Sequence, residues 1–327
     1  MAINLDKKDW RILHELTGNA RQSHSQIARK VGLSKNAVTY RIEGLKKKGV
    51  IARFFTIIEH ELLGYGFYEV LIKFNYKKDD EKKVIDYLQK YPNTMVIDQT
   101  SGGWDFVVEY GTKNVQEFYG CLNDLKDKMS SYLDTFETHI ILNPLVVEQL
   151  PVNVYKKMGV EKKRKPFLQS GTREKVDELD KKLLFELDKD STAPLYVLAE
   201  RLKVTSETVA SRIKKLVKKK IIVKFTAQVN LRVLGYDVAI VKIDLRNLTK
   251  EKEKLLVSYI KHHSQVRYSF LGGTRPEIFV YLAVERASEV DDFLREAKEK
   301  FFDVIVNQSY LWSTKMWKYN LFPEGMI

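Results

Sequence analysis

Cysteine is almost absent: Cys121 is the single one among 327 residues. That excludes a disulfide framework and a thiolate metal cluster. Cys121 lies between Tyr119 and Leu122 in a helical pattern, where a lone thiol reads as a small buried hydrophobe. Long apolar runs are missing as well. No stretch approaches 18 apolar residues and no signal-like segment opens the sequence, so no membrane partner is expected and the expected location is the cytoplasm. The six histidines, His14, His24, His60, His139, His262 and His263, are scattered. None falls in an HExxH pattern or at metal-ligand spacing. No Gly-rich phosphate loop and no GxSxG occurs, and Gly102-Gly103 and Gly272-Gly273 are too short to cradle phosphates. The expectation is a protein with no cofactor, no metal and no catalytic residue, hence not an enzyme.

Positive charge, by contrast, is in excess. Lys and Arg number 56 against 43 Asp and Glu, a net charge of +13. Such a balance favours a polyanionic partner, of which nucleic acid is the commonest, although a lysine-rich surface kept for solubility gives the same number. Local pattern has to decide between them.

The chain says nearly the same thing twice. Leu13-His14-Glu15-Leu16 matches Leu184-Phe185-Glu186-Leu187, Arg41-Ile42 matches Arg212-Ile213, and Leu63-Gly64-Tyr65 matches Leu234-Gly235-Tyr236, all at one offset of 171 residues. A repeat that long marks duplicated domains rather than a stacked array. Each half is large enough to bury a core.

Within the first copy, residues 8–16 carry Ile12, Leu13 and Leu16 on one face of a short helix. Residues 25–31 make a second, closed by Gly32. Ser34 caps a third, in which Val38, Ile42 and Leu45 recur at four and three. Three short helices with a tight turn before the third form a helix-turn-helix. A strand over 50–58 and a hinge at Leu63-Gly64-Tyr65 follow, and then the order βαββαβ, the ferredoxin-like split unit. The second copy repeats this with helices near 178–187, 195–202 and 206–218. The predicted fold class is α+β: two winged helix-turn-helix domains, each followed by a ferredoxin-like βαββαβ domain. Expected bounds are 1–60, 65–143, a basic linker at 144–175, 176–231, 236–313 and a tail at 314–327. Pro144, Pro151 and Pro166 punctuate the linker. The aromatic tail is expected to pack on the protein, since it would be costly to leave wet.

These features resemble the Lrp/AsnC family, the leucine-responsive or feast/famine regulators. Asn19-Ala20-Arg21, Val31-Gly32-Leu33-Ser34 and Leu63-Gly64-Tyr65 resemble its loop, its approach to the recognition helix and its hinge. Thr100-Ser101-Gly102-Gly103-Trp104-Asp105 resembles its Gly-rich turn. The resemblance is close along the first copy and looser along the second, so the chain looks like a tandem member. It implies a transcription regulator that binds double-stranded DNA. It also implies regulatory domains that pair, here within one chain or in a homo-oligomer, and that take an amino acid or related metabolite as effector.

A recognition helix presents its N-terminal residues to base edges. In the first copy these are Lys35, Asn36, Thr39 and Tyr40, with Ser34 at the helix start. Asn is able to bond adenine twice, and Lys to approach guanine or phosphate. Arg21, Arg41, Lys46 and Lys47 are candidate phosphate contacts. The second copy places Thr205, Ser206, Glu207, Ala210 and Ser211 in the corresponding stretch, with Arg212 and Lys215 behind them and Thr192 where Arg21 stood. Glu207 costs affinity beside phosphates unless it accepts from a cytosine amino group. Two unequal readers predict a site without two-fold symmetry. The candidate ligand-binding residues are Gly102, Gly103 and Asp105 in the first regulatory domain and Gly272, Gly273 and Arg275 in the second.

Two other readings fit the same architecture. One is an architectural protein that binds DNA without sequence preference. The other is a siroheme decarboxylase, since Trp317-Lys318-Tyr319-Asn320-Leu321-Phe322 resembles a segment of that class. Against it, the segment is expected in the tail after the last strand, and the strand near 266–271 lacks the expected His.

Overall fold

The computed structural model describes residues 2–157 and 172–327. The first repeat opens with α1 (Lys7–Gly18), α2 (His24–Val31) and α3 (Lys35–Lys47). Each start is fixed by a side chain that satisfies free helix N–H groups. Asp6 accepts from the Lys8 and Asp9 amides, Ser23 from Gln26, and Ser34 from Ala37. Gly32 closes α2 at φ +65°, in the left-handed region that glycine enters without steric cost. The apolar stripes of the three helices meet around Leu13, Ile27, Val38 and Ile42, all buried.

The chain then runs through β1 (Ile51–Ile58), β2 (Gly66–Phe74), α4 (Glu81–Lys90), β3 (Thr94–Ser101), β4 (Phe106–Thr112), α5 (Val115–Lys128), β5 (Leu133–Val147) and α6 (Val152–Lys157). The second repeat gives α7 (Glu178–Lys189), α8 (Leu195–Leu202), α9 (Ser206–Lys218), β6 (Ile222–Val229), β7 (Asp237–Leu245), α10 (Lys250–His262), β8 (Val266–Gly272), β9 (Glu277–Val284), α11 (Ser288–Lys300) and β10 (Ile305–Tyr319). Two segments correct the sequence-based expectation. The presumed linker begins with the end of β5 and with α6, whose Val154 and Tyr155 are buried in the core of the first helical domain. Residues 158–171 of that linker lie outside the described residues. The presumed tail begins inside a strand: β10 continues to Tyr319, and only then does the chain turn to bury Phe322 and Met326 against α7 and its neighbours.

The two repeats interlock at two levels. β1 and β6 form an antiparallel ribbon in which Phe55 lies opposite Thr226. The ribbon strands reach across to the other repeat: the Ala20 amide bonds the Phe225 carbonyl at 2.9 Å, and the Ser191 amide bonds the Phe54 carbonyl at 3.2 Å. Below the ribbon, the two ferredoxin-like sheets close into one barrel, in the order β10-β3-β4-β2-β5-β8-β9-β7. Ile141 pairs with Gly272, and Trp312 pairs with Ser101, the same join made twice by equivalent positions. One face of each strand packs on helices, as Val70, Ile72 and Val108 do on α4 and α5. The other face turns into the barrel, where Leu71, Val107, Ile240, Phe270, Phe279 and Leu311 meet.

Candidate nucleic-acid interface and barrel cavity

The two recognition helices, α3 and α9, are built alike and dressed differently. On α3, Lys35 and Asn36 are exposed at the N-terminal end, and Tyr40 is 81% exposed, which is far more than a core role requires. The Thr39 hydroxyl donates to the Lys35 carbonyl at 3.0 Å and lies 2.7 Å from His24 Nδ1, so its rotamer is held. Ser34 is spent on the helix cap. Lys46 pairs with Glu43 at 2.9 Å and sits over the Phe54 ring, while Lys47 is exposed.

On α9, Thr205 takes the capping role by accepting from Thr208. Ser206 is half-buried, and Glu207 and Ser211 are exposed. Glu207 is held below the usual carboxylate range by backbone N–H at the helix start and by Thr205. It is therefore a fixed negative charge where α3 carries Lys35 and Asn36. Lys214, Lys215 and Lys218 keep the far end exposed and basic.

Three arginines expected to touch phosphate are committed elsewhere. Arg21 donates to the carbonyls of Ser191 at 2.7 Å and Ala193 at 3.2 Å, and its guanidinium stacks on Phe225. It is a clasp between the repeats, with its pKa lowered by burial. Arg41 pairs with Asp6 at 2.7 Å and Asp9 at 2.6 Å, which ties α3 to the start of α1. Arg212 does the same in the second copy, with Asp177 and Asp180 both at 2.7 Å. Two carboxylates offset the charge of each guanidinium, although their bonds use Nη1 alone and Nη2 and Nε keep their N–H groups.

The expected effector residues also serve the fold. The Asp105 carboxylate accepts the Phe74 amide at 2.8 Å and pins the turn to β2. Gly102 sits at φ +123° under Leu311, a conformation that needs glycine, while a Cβ on Gly103 would meet open space. Side chains at Gly272 and Gly273 would collide with Glu277 and Leu142. Arg275 joins an ion network with Glu137, Glu277 and Asp244 that buttresses the buried His139–Glu277 pair, 2.8 Å apart.

None of these six residues lines the cavity of about 170 Å³ inside the barrel, at the end below the β1–β6 ribbon. Its wall combines the hinge segment Glu59-His60-Glu61, Gln149, and strand residues that point inward, among them Asp98, Glu109, Arg267, Tyr268, Tyr281 and Tyr319. Burial pushes Glu109 and Glu59 up to about 7 and Asp98 up to about 6. Beside them the Tyr281 hydroxyl donates to Glu69 at 2.5 Å, between β9 and β2. Sequence reasoning passed over these groups. The available signal was a carboxylate at an inward position of an otherwise apolar strand, as with Glu69 in β2 and Glu109 in β4.

Residues 5–52 match a family model described as winged helix-turn-helix DNA-binding, and residues 176–217 match one described as the AsnC-type helix-turn-helix domain. Over 143 residues the chain is 32% identical to the HTH-type transcriptional regulator FL11 of Pyrococcus horikoshii, covering 91% of that protein and 43% of this chain. The chain belongs to the Lrp/AsnC family. Regulatory protein AsnC of Haemophilus influenzae is 26% identical over 152 residues, 99% of its length and 45% of this chain. This Lrp/AsnC member is thus about twice as long as those relatives and repeats their plan. It is a transcription regulator with helix-turn-helix DNA-binding domains. Over the whole chain the fold resembles that of the siroheme decarboxylase NirDL, at a TM-score of 0.65 and 13% identity, covering 98% of this chain and 96% of that one. That is a likeness of architecture. No helix among the described residues is long and apolar enough to cross a membrane.

Proposed function

We propose that this Lrp/AsnC protein reads an asymmetric duplex site through two unequal recognition helices held at a fixed separation within one chain. The β1–β6 ribbon carries the reading: Phe55 opposite Thr226 relates the helical domains by an internal pseudo-two-fold, the arrangement in which helix-turn-helix dimers address two half-sites. Lys35, Asn36 and Tyr40 of α3 supply base recognition. Lys214, Lys215 and Lys218 of α9 supply phosphate affinity, with Glu207 opposing bases and backbone that α3 would accept. The barrel sets the separation, and a small metabolite modulates it.

Selection of bound duplexes from a random library, at roughly physiological salt so that non-specific binding is weakened, tests this. An asymmetric enriched motif is expected. A palindrome overturns the asymmetric reading. Binding with steep salt dependence and no motif replaces it with an architectural role.

The whole-chain likeness to NirDL, which has also been solved with an iron-uroporphyrin III analogue, favours a second reading as a siroheme decarboxylase. Tyr319 and Leu321, from the segment that resembles that class, do line the cavity. Its volume of about 170 Å³ is closer to that of cavities that take a single benzene-sized guest than to a macrocycle. A change in the visible absorbance of siroheme on adding the protein would promote this reading, and an unchanged spectrum would remove it.

A further inference from the structure

From the barrel cavity we infer that this protein binds a small aliphatic diamine or polyamine between its two regulatory sheets, at a site distinct from the Gly-rich turns. An eight-stranded barrel has an interior just large enough for packed side chains or one small ligand. Here the middle is packed, and the space left at the ribbon end is about 170 Å³. Much of its wall is apolar, with Ile57, Phe67 and Val107 among its lining, which suits methylene groups.

The polar part of the wall sets the sign of the ligand. Among the described residues Arg267 is the one arginine or lysine in the lining, against the carboxylates of Glu59, Glu61, Asp98, Glu109 and Glu148, of which Glu148 is paired with Lys224 at 4.0 Å. Arg267 and, from outside the lining, Arg232 both act on Asp98. Among the described residues neither Glu59, which is 5% exposed, nor Glu109 forms an ion pair. A carboxylate that is buried, as Glu59 is, or half-buried in an apolar wall, as Glu109 is, gains from a positive group beside it.

Gln149 points the same way independently. It lines the cavity, is 3% exposed and hydrogen-bonds Tyr319, while its Oε1 has no donor among the described residues, as is true of Glu59 Oε2. A buried acceptor without a donor asks for an N–H group. Tyr268, Tyr281 and Tyr319 line the same space, and an ammonium group is attracted to the face of an aromatic ring. A ligand with ammonium ends and a methylene spine answers all three observations. A dicarboxylate of equal length would bring two more acids to a wall already rich in them.

The proposed regulator role supplies the purpose of such a ligand, but the binding itself does not depend on it. The test is calorimetric titration of the full chain with 1,5-diaminopentane, 1,5-pentanediol and glutarate, which share a length and differ in charge. The diamine is expected to bind once per chain, with the diol and glutarate at least tenfold weaker. Glu109→Gln and Gln149→Met are each expected to weaken the diamine by tenfold or more. Thermal unfolding of both variants confirms that they fold, and either alone suffices. Absence of diamine binding, tighter binding of glutarate, or unchanged affinity in the folded variants overturns the assignment. A duplex-binding assay without ligand, run on the same samples, reports on the DNA reading whichever way the titration falls.

Discussion

Phe55 faces Thr226 in the β1–β6 ribbon, and the two residues occupy the same position of the 171-residue repeat. The internal pseudo-two-fold therefore passes through a single residue pair. The Arg21 clasp on Ser191 and Ala193 adds to the joint between the two helical domains that the ribbon begins.

A rigid ribbon predicts intolerance to DNA spacing. Insertion of about five base pairs, half a helical turn, between the two halves of the selected site rotates one half to the far side of the duplex. Affinity is expected to fall to that of a single reader, and insertion of about ten base pairs to restore part of it only if the ribbon yields. Mobility-shift titration of spaced duplexes checks this.

Lys35→Ala with Asn36→Ala is expected to remove sequence discrimination and leave much of the salt-sensitive affinity, because the exposed lysines of α3 and α9 remain. The corresponding double change Ser206→Ala with Glu207→Ala should leave discrimination nearly intact and raise non-specific affinity by removing a negative charge. Competition between specific and random duplexes separates the two quantities. Equal loss on all sequences for the first variant contradicts the assignment.

Arg41 and Arg212 make the same bridge, yet their removal should not cost the same. Asp9 retains 15% side-chain exposure, whereas Asp180 is fully buried. Arg41→Ala exposes a partly solvated carboxylate and is expected to cost about 1 kcal/mol. Arg212→Ala leaves a buried one with, among the described residues, only Lys215 at 3.7 Å, and roughly 3 kcal/mol is expected. Urea unfolding of the two variants tests the ranking.

Asp98 provides a pH signature. Burial raises its pKa from 3.8 to about 6, partly offset by the Ser313 hydroxyl and Arg267. The folded state thus holds this proton longer than the unfolded chain, so its contribution to stability declines as pH climbs from about 4 to 6 and stays low above that. Asp98→Asn keeps an acceptor for Ser313 and removes the penalty. Relative to the parent, the variant should gain stability across that window and level off above it, by at most about 3 kcal/mol. Unfolding free energies measured from pH 4 to 8 for both proteins give the difference directly.

The helical domains and the split units were legible because their signals are local. Ser34 before an apolar stripe and Gly32 after another mark helix ends whatever surrounds them. Long-range commitments were not. Nothing beside Arg21 in the sequence says that its partners are the Ser191 and Ala193 carbonyls, so a surface arginine near a recognition helix read as a phosphate contact. The partners of Arg41 and Arg212 were hidden in the same way: Asp6 and Asp177 each lie 35 residues earlier in the chain, just before α1 and α7. The barrel cavity needs four strands from each repeat to exist, and the carboxylates that furnish it come from separate elements, Glu59 from the hinge segment, Asp98 from β3 and Glu109 from β4. The continuation of β10 through Trp317 to Tyr319 was hidden because its pairing partner is β3 of the other repeat.

The joins Ile141–Gly272 and Trp312–Ser101 have one further consequence. A regulator assembled from separate subunits falls apart on dilution and trades subunits with related chains. Here the halves are tethered, so their encounter is intramolecular and independent of cellular abundance. Each substitution is also inherited by one half only. Glu207 was therefore free to appear opposite Asn36 without appearing twice, and the two ends of the molecule are open to separate specialisation while the seam between them is kept.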